Sequence, residues 1–314
     1  MIETLNKELE EVLAGLKLKP KRISSKYFYD TKGSELFDQI TMLEEYYLTR
    51  TERKILADNL EEISSFIKLN TLLIEPGSGS NKKIKFLLNE NEHFKGNISA
   101  YMPIDVSEAY MHNQADDLQQ SFPNLKILPL PGDYTRGLPE HSAFSEYDSK
   151  LIFYPGSSLG NFDSEAARGI ISDFVTKLGS GGQILIGLDL YKDREPLEAA
   201  YNDSLGITGE FNLNALSNLN SIFASGFNLE NFRHLAFFNE PESRVEMHLE
   251  SLVGQVVRLG EEEIIIKESE RILTEYSNKY KIVDFGESFK DSLELKKAWT
   301  DENKYFALLL FEVY

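Results

Sequence analysis

The chain has 314 residues, and its 51 acidic against 33 basic side chains give a formal net charge of −18. This charge disfavours nucleic acid or an anionic membrane surface as a partner, because both are bound through lysine and arginine. With no cysteine, the chain offers no thiolate nucleophile, disulfide or cysteine-ligated metal site. Neither a signal peptide nor an apolar run of about 18 residues is visible. We therefore expect a cytoplasmic protein without a membrane segment.

The first seventy residues carry helical patterns. Apolar side chains recur at helical spacing from Leu5 to Leu16, and further patterns cover residues 34–40 and 51–66. Apolar residues at spacings of three and four are typical of a helix with one buried face. Pro20 is expected to separate the first two helices.

Strands and helices then alternate. We predict strands over residues 71–75, 99–105, 125–130, 150–154 and 183–188, with helices at 82–91, 110–122 and 164–178. Such alternation predicts a mostly parallel sheet with helices on both faces.

The pattern from residue 191 to 273 is less regular. Predicted helices at 195–205 and 212–224 are followed by an extended stretch at 244–252, and residues 280–285 and 306–314 look strand-like. We expect the last two to form an antiparallel hairpin that closes the sheet. The fold class is therefore α/β, with a doubly wound domain at 50–190 plus 278–314 and a second, mixed α/β domain at 1–49 plus 191–277.

A glycine turn follows the first predicted strand of the sheet, in the sequence Glu75-Pro-Gly-Ser-Gly79. Ligands of doubly wound sheets bind at the carboxyl ends of the strands, where glycine lets the backbone approach closely. The turn is not a dinucleotide fingerprint, because Lys82 stands where the third glycine would be, and no Gly-Lys-Ser/Thr of a P-loop follows. On its own it could be an ordinary turn.

Acidic residues end the next two predicted strands. Asp105 could accept hydrogen bonds from both hydroxyls of a ribose, and Asp133 with Tyr134 could hold an adenine by its amino group and its face. Acids also end strands as turn residues or helix caps. A glycine turn followed by two acids at successive strand ends nevertheless favours S-adenosylmethionine, which has no pyrophosphate, over a dinucleotide.

Nine segments between residues 24 and 280 carry a more specific signal. They are, in order, SSKYFYDTKGSELFDQIT, EEYYLTRTE, EPGSGSNKK, PIDVS, GDYT, GSSLGNF, AAYNDSLGITGEFNLN, RVEMHLES and TEYSNKY. With these segments the chain resembles the histidine Nα-methyltransferases of ergothioneine biosynthesis. The resemblance implies a Rossmann-like class I methyltransferase sheet that binds S-adenosylmethionine, and a second domain that binds L-histidine. It also implies trimethylation of the α-amine of histidine to hercynine.

The resemblance also implies site residues. Gly77 and Lys83 would flank the methionine end of the cofactor, Asp105 would bind the ribose, and Tyr29 would close over the cofactor. Together the implied cofactor residues are Tyr29, Gly77, Gly79, Lys83, Asp105, Asp133 and Tyr134.

On the substrate side, Tyr46, Asn161 and Tyr201 would hold the α-amino and carboxylate groups of histidine. Glu275 and Ser277 would bind the imidazole, with Met247 against it. The residues implied to be catalytic are Asn161, Tyr29 and Tyr46.

Each of these residues has a structural alternative. Asn161 could cap the helix that begins near residue 164, Tyr46 could be a core aromatic, and Tyr201 could lie on the surface. Met247 alternates with apolar neighbours as core strand residues do, and Glu275 with Ser277 could form a solvated strand edge.

Two segments depart from the family pattern. Pro76 stands where the family often has leucine, and residues 155–158 replace a more usual Gly-Gly-Thr-like segment. Two further functions therefore stay open: a methyltransferase for another amino acid or small amine, and a non-catalytic cofactor-binding protein. The five histidines show no metal-ligand spacing, so we predict no metal, and a monomer is our default expectation.

Overall fold

The structure is a computed structural model that describes residues 2–314, with side chains from residue 5 onward. In chain order the helices are α1 (Ile2–Lys17), α2 (Thr31–Ile40), α3 (Tyr47–Phe66), α4 (Lys82–Glu90), α5 (Glu92–Asn97), α6 (Glu108–Ser121), α7 (Ala143–Glu146), α8 (Ser164–Leu178), α9 (Arg194–Ala199), α10 (Ile207–Phe223) and α11 (Ile282–Phe289). Short 3-10 helices lie at Ser25–Phe28, Tyr134–Arg136, Ser158–Asn161 and Leu229–Asn231.

The strands are β1 (Lys21–Arg22), β2 (Thr71–Pro76), β3 (Ile98–Asp105), β4 (Lys126–Ile127), β5 (Leu130–Pro131), β6 (Ser149–Tyr154), β7 (Gln183–Asp189), β8 (Phe232–Asn239), β9 (Arg244–Ser251), β10 (Gln255–Leu259), β11 (Glu262–Ile266), β12 (Arg271–Asn278), β13 (Leu293–Thr300) and β14 (Phe306–Val313). Over residues 2–314, no helix is long and apolar enough to cross a lipid bilayer.

The chain divides into two compact units. Unit one comprises Met1–Tyr47 with Lys192–Lys279, and unit two comprises Leu48–Tyr191 with Tyr280–Tyr314. The domain boundaries predicted from the sequence lie within a few residues of these divisions.

Unit two is built on a sheet in the order β13-β14-β7-β6-β2-β3-β4. Strand β5 also pairs with β3, nearer to the carboxyl end of β3 than β4 does. Strands β2, β3, β6 and β7 are parallel, whereas β14 runs antiparallel to both β7 and β13. The first strand of the unit, β2, has β3 on one side and β6 on the other, so the strand order reverses at β2. The predicted doubly wound sheet is confirmed, and its switch point lies at the carboxyl end of β2.

The sheet of unit two forms because its central strands are apolar on both faces. Every residue of β2 and of β7 is buried, as expected for parallel strands that are covered on both sides. Helix α8 buries Ala167, Ile170, Ile171, Phe174 and Leu178, which share one face by their spacing of three and four.

Two strand predictions in unit two are wrong. Residues 125–130 do not form one strand but the separate short strands β4 and β5, since Pro129 between them has no N–H for the ladder. Residues 280–285 are not a strand, because helix α11 begins at Ile282. The terminal antiparallel hairpin exists, but β13 rather than residues 280–285 pairs with β14.

Unit one contains a sheet in the order β1-β12-β9-β8 and a separate hairpin of β10 and β11. Strands β8, β9 and β12 are antiparallel neighbours, and β1 is parallel to β12. Helix α10 begins where the Asp203 carboxylate accepts hydrogen bonds from the backbone N–H groups of Ile207 and Thr208, both at 2.8 Å. This arrangement is a side-chain cap on the helix N-terminus.

Candidate active site

The glycine turn of unit two is tied to the end of β3. Gly77 and Gly79 adopt positive φ of 66° and 50°, a conformation that glycine takes without strain. The backbone N–H of Gly77 donates to the Ile104 carbonyl at 2.8 Å, and that of Gly79 donates to Asp105 Oδ2 at 3.0 Å. A Cβ on Gly77 would lie 3.1 Å from the Tyr134 ring. The turn therefore needs glycine at position 77 for space as well as for φ.

Asp105, the last residue of β3, is held by backbone donors on both oxygens. Oδ1 accepts from the N–H of Ser107 at 3.0 Å, while Oδ2 accepts from Gly79. An ionised carboxylate has about four acceptor positions, so two remain for hydroxyl donors. The partly exposed group thus has a fixed orientation and spare acceptor capacity.

Asp133 and Tyr134 stand after β5, as the sequence predicted for the end of the third strand. Asp133 Oδ1 caps the short helix Tyr134–Arg136 by accepting from the N–H and the hydroxyl of Thr135, at 3.0 and 2.5 Å. The Tyr134 hydroxyl accepts from that of Tyr154 at 3.2 Å, and burial raises the pKa of Tyr134 to about 12. An aromatic face and a carboxylate are therefore next to each other beside the glycine turn.

Lys83 is fixed by a residue that the sequence did not single out. Glu52, on α3 and only 1% exposed, accepts from Lys83 Nζ with one oxygen and from the backbone N–H of Gly156 with the other, both at 2.6 Å. Glu52 therefore joins the first turn of α4 to the loop after β6. Gly187 on β7 leaves room for this carboxylate, because a Cβ at that position would collide with Glu52 Oε1.

Glu75 in the glycine motif is a buried carboxyl group without an assigned role. It is 3% exposed and accepts from the Tyr101 hydroxyl at 2.5 Å. Burial raises its pKa to about 7, although Tyr101 and the charge of Lys83 act in the opposite direction. This side chain supports the turn from inside the sheet.

Asn161 is the last residue of the 3-10 helix that follows β6. The alternative that Asn161 caps α8 is wrong, because Asp163 Oδ1 accepts from the N–H of Ala166 at 3.0 Å and fills that position. Asn161 is partly exposed, at the same edge of the sheet as the glycine turn of β2.

Aromatic rings form a row in unit one. Tyr29, which is 45% exposed, lies with its ring centroid 5.7 Å from that of Phe37, and Phe37 lies 6.3 Å from Tyr46. Tyr46 in turn lies 6.4 Å from Tyr201. The structure thus brings together the three tyrosines that the resemblance singled out. Tyr201 is 6% exposed, so the alternative of a surface position is wrong.

Glu275, Ser277 and Met247 lie on the sheet of unit one. Glu275 on β12 pairs directly with Met247 on β9, and directly opposite residues share a face. The Ser277 hydroxyl, which is buried, accepts from the Tyr201 hydroxyl at 2.6 Å. Burial raises the pKa of Glu275 to about 8, and the charge of nearby Lys279 acts in the opposite direction. Met247 is buried on β9, so the structure agrees both with a core strand residue and with the proposed role.

Lys279 was missed by the sequence analysis, although it belongs to the quoted segment TEYSNKY. It is 5% exposed, and its ammonium donates to the Ser277 hydroxyl at 2.6 Å. The only available signal was its place two residues after Ser277, on the same side of an extended chain.

The edge of unit two suits an adenosyl group. Asp105 has free acceptor positions for ribose hydroxyls, and Asp133 with Tyr134 offers a carboxylate and an aromatic face for a base. A Cβ on Gly79 would meet nothing nearer than 4.0 Å, which leaves open space over the turn. The residues present therefore fit S-adenosylmethionine.

Comparison with known proteins gives consistent matches. A family model described as histidine-specific methyltransferase, SAM-dependent, matches residues 8–313. A histidine N-alpha-methyltransferase of Mycobacterium tuberculosis is 34% identical over 96% of this chain and 93% of that protein. Ergothioneine biosynthesis protein 1 of Neurospora crassa is 32% identical over 93% of this chain and 33% of that protein. A 4-dimethylallyltryptophan N-methyltransferase of Epichloe festucae var. lolii is 26% identical over 93% of this chain and 90% of that protein.

Proposed function

Because the chain belongs to the family of histidine-specific, S-adenosylmethionine-dependent methyltransferases, we propose that it methylates the α-amine of L-histidine three times. The product is hercynine, and its formation is a step of ergothioneine biosynthesis. The observation that carries the choice of histidine is the pair of Glu275 and Ser277, which present a carboxyl group and a hydroxyl on one face of β12 opposite Met247.

Residues of unit two hold the cofactor in this proposal. Asp105 accepts from the ribose hydroxyls, Asp133 and Tyr134 bind the adenine, and Lys83 holds the methionine carboxylate. Gly77 and Gly79 let the backbone approach, and the family resemblance assigns Tyr29 to the cofactor as well. S-adenosylmethionine supplies a methyl group bound to a positively charged sulfur, which needs no protein nucleophile.

Neutral partners hold the α-amine. Tyr46, Tyr201 and Asn161 offer hydroxyl and amide groups but no charge, and a desolvated ammonium without a counter-charge has a lowered pKa. The substrate can then release to water the proton that blocks its nitrogen lone pair, once before each of the three transfers. Tyr29, Tyr46 and Asn161 are catalytic in the sense that they orient this nitrogen toward the methyl group, since alignment is the main requirement of the transfer.

Tyrosine rings also suit the product. A trimethylammonium group donates no hydrogen bond, but it is attracted to aromatic faces. The row from Tyr29 through Phe37 and Tyr46 to Tyr201 offers such faces to the permanently charged product.

Glu275 supports specificity for the imidazole. Its side chain is half-buried, and desolvation is the main cause of its raised pKa. A substrate side chain without an N–H would leave that group desolvated and unpaired, which costs free energy.

The test is mass spectrometry of the purified protein incubated with S-adenosylmethionine and a mixture of the twenty amino acids. We expect a new species that is three methyl groups heavier than histidine. Methylation of another amino acid would overturn the role of Glu275 and Ser277 and keep the methyltransferase assignment. Cofactor binding without any methylated product would favour the non-catalytic alternative.

A further inference from the structure

Lys279 stands directly behind the proposed imidazole site. Its backbone N–H donates to the Ser243 carbonyl at 2.7 Å, which anchors the chain just beyond β12. Its ammonium donates to the Ser277 hydroxyl at 2.6 Å and to the Tyr201 hydroxyl at 3.4 Å, and lies 5.0 Å from the Tyr201 ring centroid. A buried cation is thus fixed by two hydroxyl groups and an aromatic face.

The direction of these hydrogen bonds follows from chemistry. An ammonium group can only donate, and a serine hydroxyl has two lone pairs and one proton. Ser277 Oγ accepts from Lys279 and also from the Tyr201 hydroxyl at 2.6 Å. Both lone pairs are therefore used, and the remaining capacity of Ser277 is to donate its own proton.

Whereas Ser277 donates, Glu275 is the hydrogen-bond acceptor of the pair. Burial raises its pKa to about 8, and in both protonation states the carboxyl group keeps an oxygen that can accept a hydrogen bond from an N–H group. Alternate residues on a strand lie about 7 Å apart on the same face. That span accommodates a five-membered ring with a hydrogen bond at each of its two nitrogens.

Resting on the proposed function, we propose that Lys279 is a positioning residue that fixes Ser277 as a hydrogen-bond donor. Glu275 and Ser277 then bind the neutral imidazole of histidine in a single tautomer. A neutral imidazole has one N–H, which pairs with Glu275, and one lone pair, which accepts from Ser277.

The same arrangement rejects other rings. An imidazolium ion donates from both nitrogens, so the proton of Ser277 would face another donor. An indole has an N–H but no acceptor nitrogen, so the Ser277 hydroxyl would stay without a partner in a desolvated site. Lys279 thereby contributes to specificity without touching the substrate.

The experiment uses nitrogen NMR of ¹⁵N-labelled L-histidine bound to the full chain in the presence of S-adenosylhomocysteine. In the unmodified protein we expect one N–H-type and one pyridine-type ring nitrogen. In Lys279→Met, Ser277 can donate its proton to Tyr201 instead of to the imidazole, so both tautomers of the ring can bind. The chemical shifts of the two ring nitrogens should then move toward each other. The matched variant Lys279→Arg retains the donors and should retain separate signals.

Kinetics supply a second readout. We expect the KM for histidine to rise about tenfold in Lys279→Met, the equivalent of one lost hydrogen bond, with unchanged affinity for S-adenosylhomocysteine. Ser277→Ala keeps Lys279 but removes the proposed donor, and it should cause the same mixture of tautomers. Ser277→Ala thus tests the donor role of Ser277, and the comparison of Lys279→Met with Lys279→Arg tests the positioning role of Lys279.

Two outcomes would overturn this inference. One is an unmodified protein that methylates histidine but binds its ring as imidazolium or as a mixture of tautomers. The other is a spectrum that stays unchanged in folded Lys279→Met. Failure of the unmodified protein to bind histidine at all would instead refute the proposed function, and with it this inference.

Discussion

The acids at the strand ends of unit two and the polar groups around Ser277 in unit one are held by different means. In unit two, both oxygens of Asp105 accept from backbone N–H groups, and Asp133 accepts from the N–H of Thr135. In unit one, Tyr201, Ser277 and Lys279 are held by one another through side-chain hydrogen bonds.

This difference predicts how each region responds to substitution. The position of a carboxylate held by backbone N–H groups depends on the backbone conformation, so neighbouring side chains can be substituted with little effect on that position. A network of side chains depends on every member, and changes within it are not additive. We therefore expect separable defects from changes at Asp105 and Asp133, and coupled defects from changes at Tyr201, Ser277 and Lys279.

The largest effect is expected from Glu275→Ala. Removing the carboxyl group leaves the imidazole N–H without its acceptor, and kcat/KM for histidine should fall by about two to three orders of magnitude. Affinity for S-adenosylhomocysteine, measured by calorimetry, should stay within about twofold. Wild-type kcat/KM in this variant would refute the assignment of the imidazole to Glu275.

A somewhat smaller effect is expected from Asp105→Ala in unit two. The variant loses a charged acceptor for the ribose hydroxyls and releases the N–H of Gly79, so cofactor affinity should fall about 10- to 100-fold. Asp105→Asn is the matched control, since it keeps one acceptor oxygen and should lose less. Unchanged cofactor affinity in calorimetry of Asp105→Ala would contradict the ribose assignment.

The smallest effect concerns pH. The pKa of Glu275 is raised from 4.5 to about 8 in the folded protein, so between these values the folded chain holds a proton that the unfolded chain has released. Stability from this group therefore falls as pH rises from about 4.5 to 8. Glu275→Gln should remove that decline, about 1–3 kcal/mol after allowance for partial exposure.

Thermal denaturation of Glu275→Gln and of the unmodified protein at several pH values measures the difference. We expect the variant to gain stability relative to the unmodified protein as pH rises toward 8. A constant difference in melting temperature across this range would show that Glu275 titrates normally.

Local patterns predicted the framework of unit two well. Apolar runs that alternate with segments of helical periodicity were sufficient to identify the parallel sheet, because both patterns are visible within a few residues. The errors came where that pattern was ambiguous. Ile282, Phe285 and Phe289 have helical spacing, but the predicted strand ended at residue 285 and so left out Phe289. The β-branched Ile282 and Val283 at its centre favoured a strand.

Glu52 and Lys279 could not be found in the same way. Glu52 is one acid among several charged residues of α3, and only the fold brings it to Lys83 and Gly156. Lys279 reads as an ordinary charge after a strand until the structure places it behind Ser277. Both are buried charges whose partners are distant or ambiguous along the chain.

Gly187 has a consequence for how this sequence can change over time. Any side chain there would displace the Glu52 carboxylate, which releases Lys83 and Gly156 together. Position 187 can therefore diversify only after position 52 has exchanged its acid for a shorter residue, and only if the Phe306 ring, 3.1 Å from that Cβ, also shifts. In this lineage the order of the two substitutions matters, and the route that changes the glycine first passes through a defective intermediate.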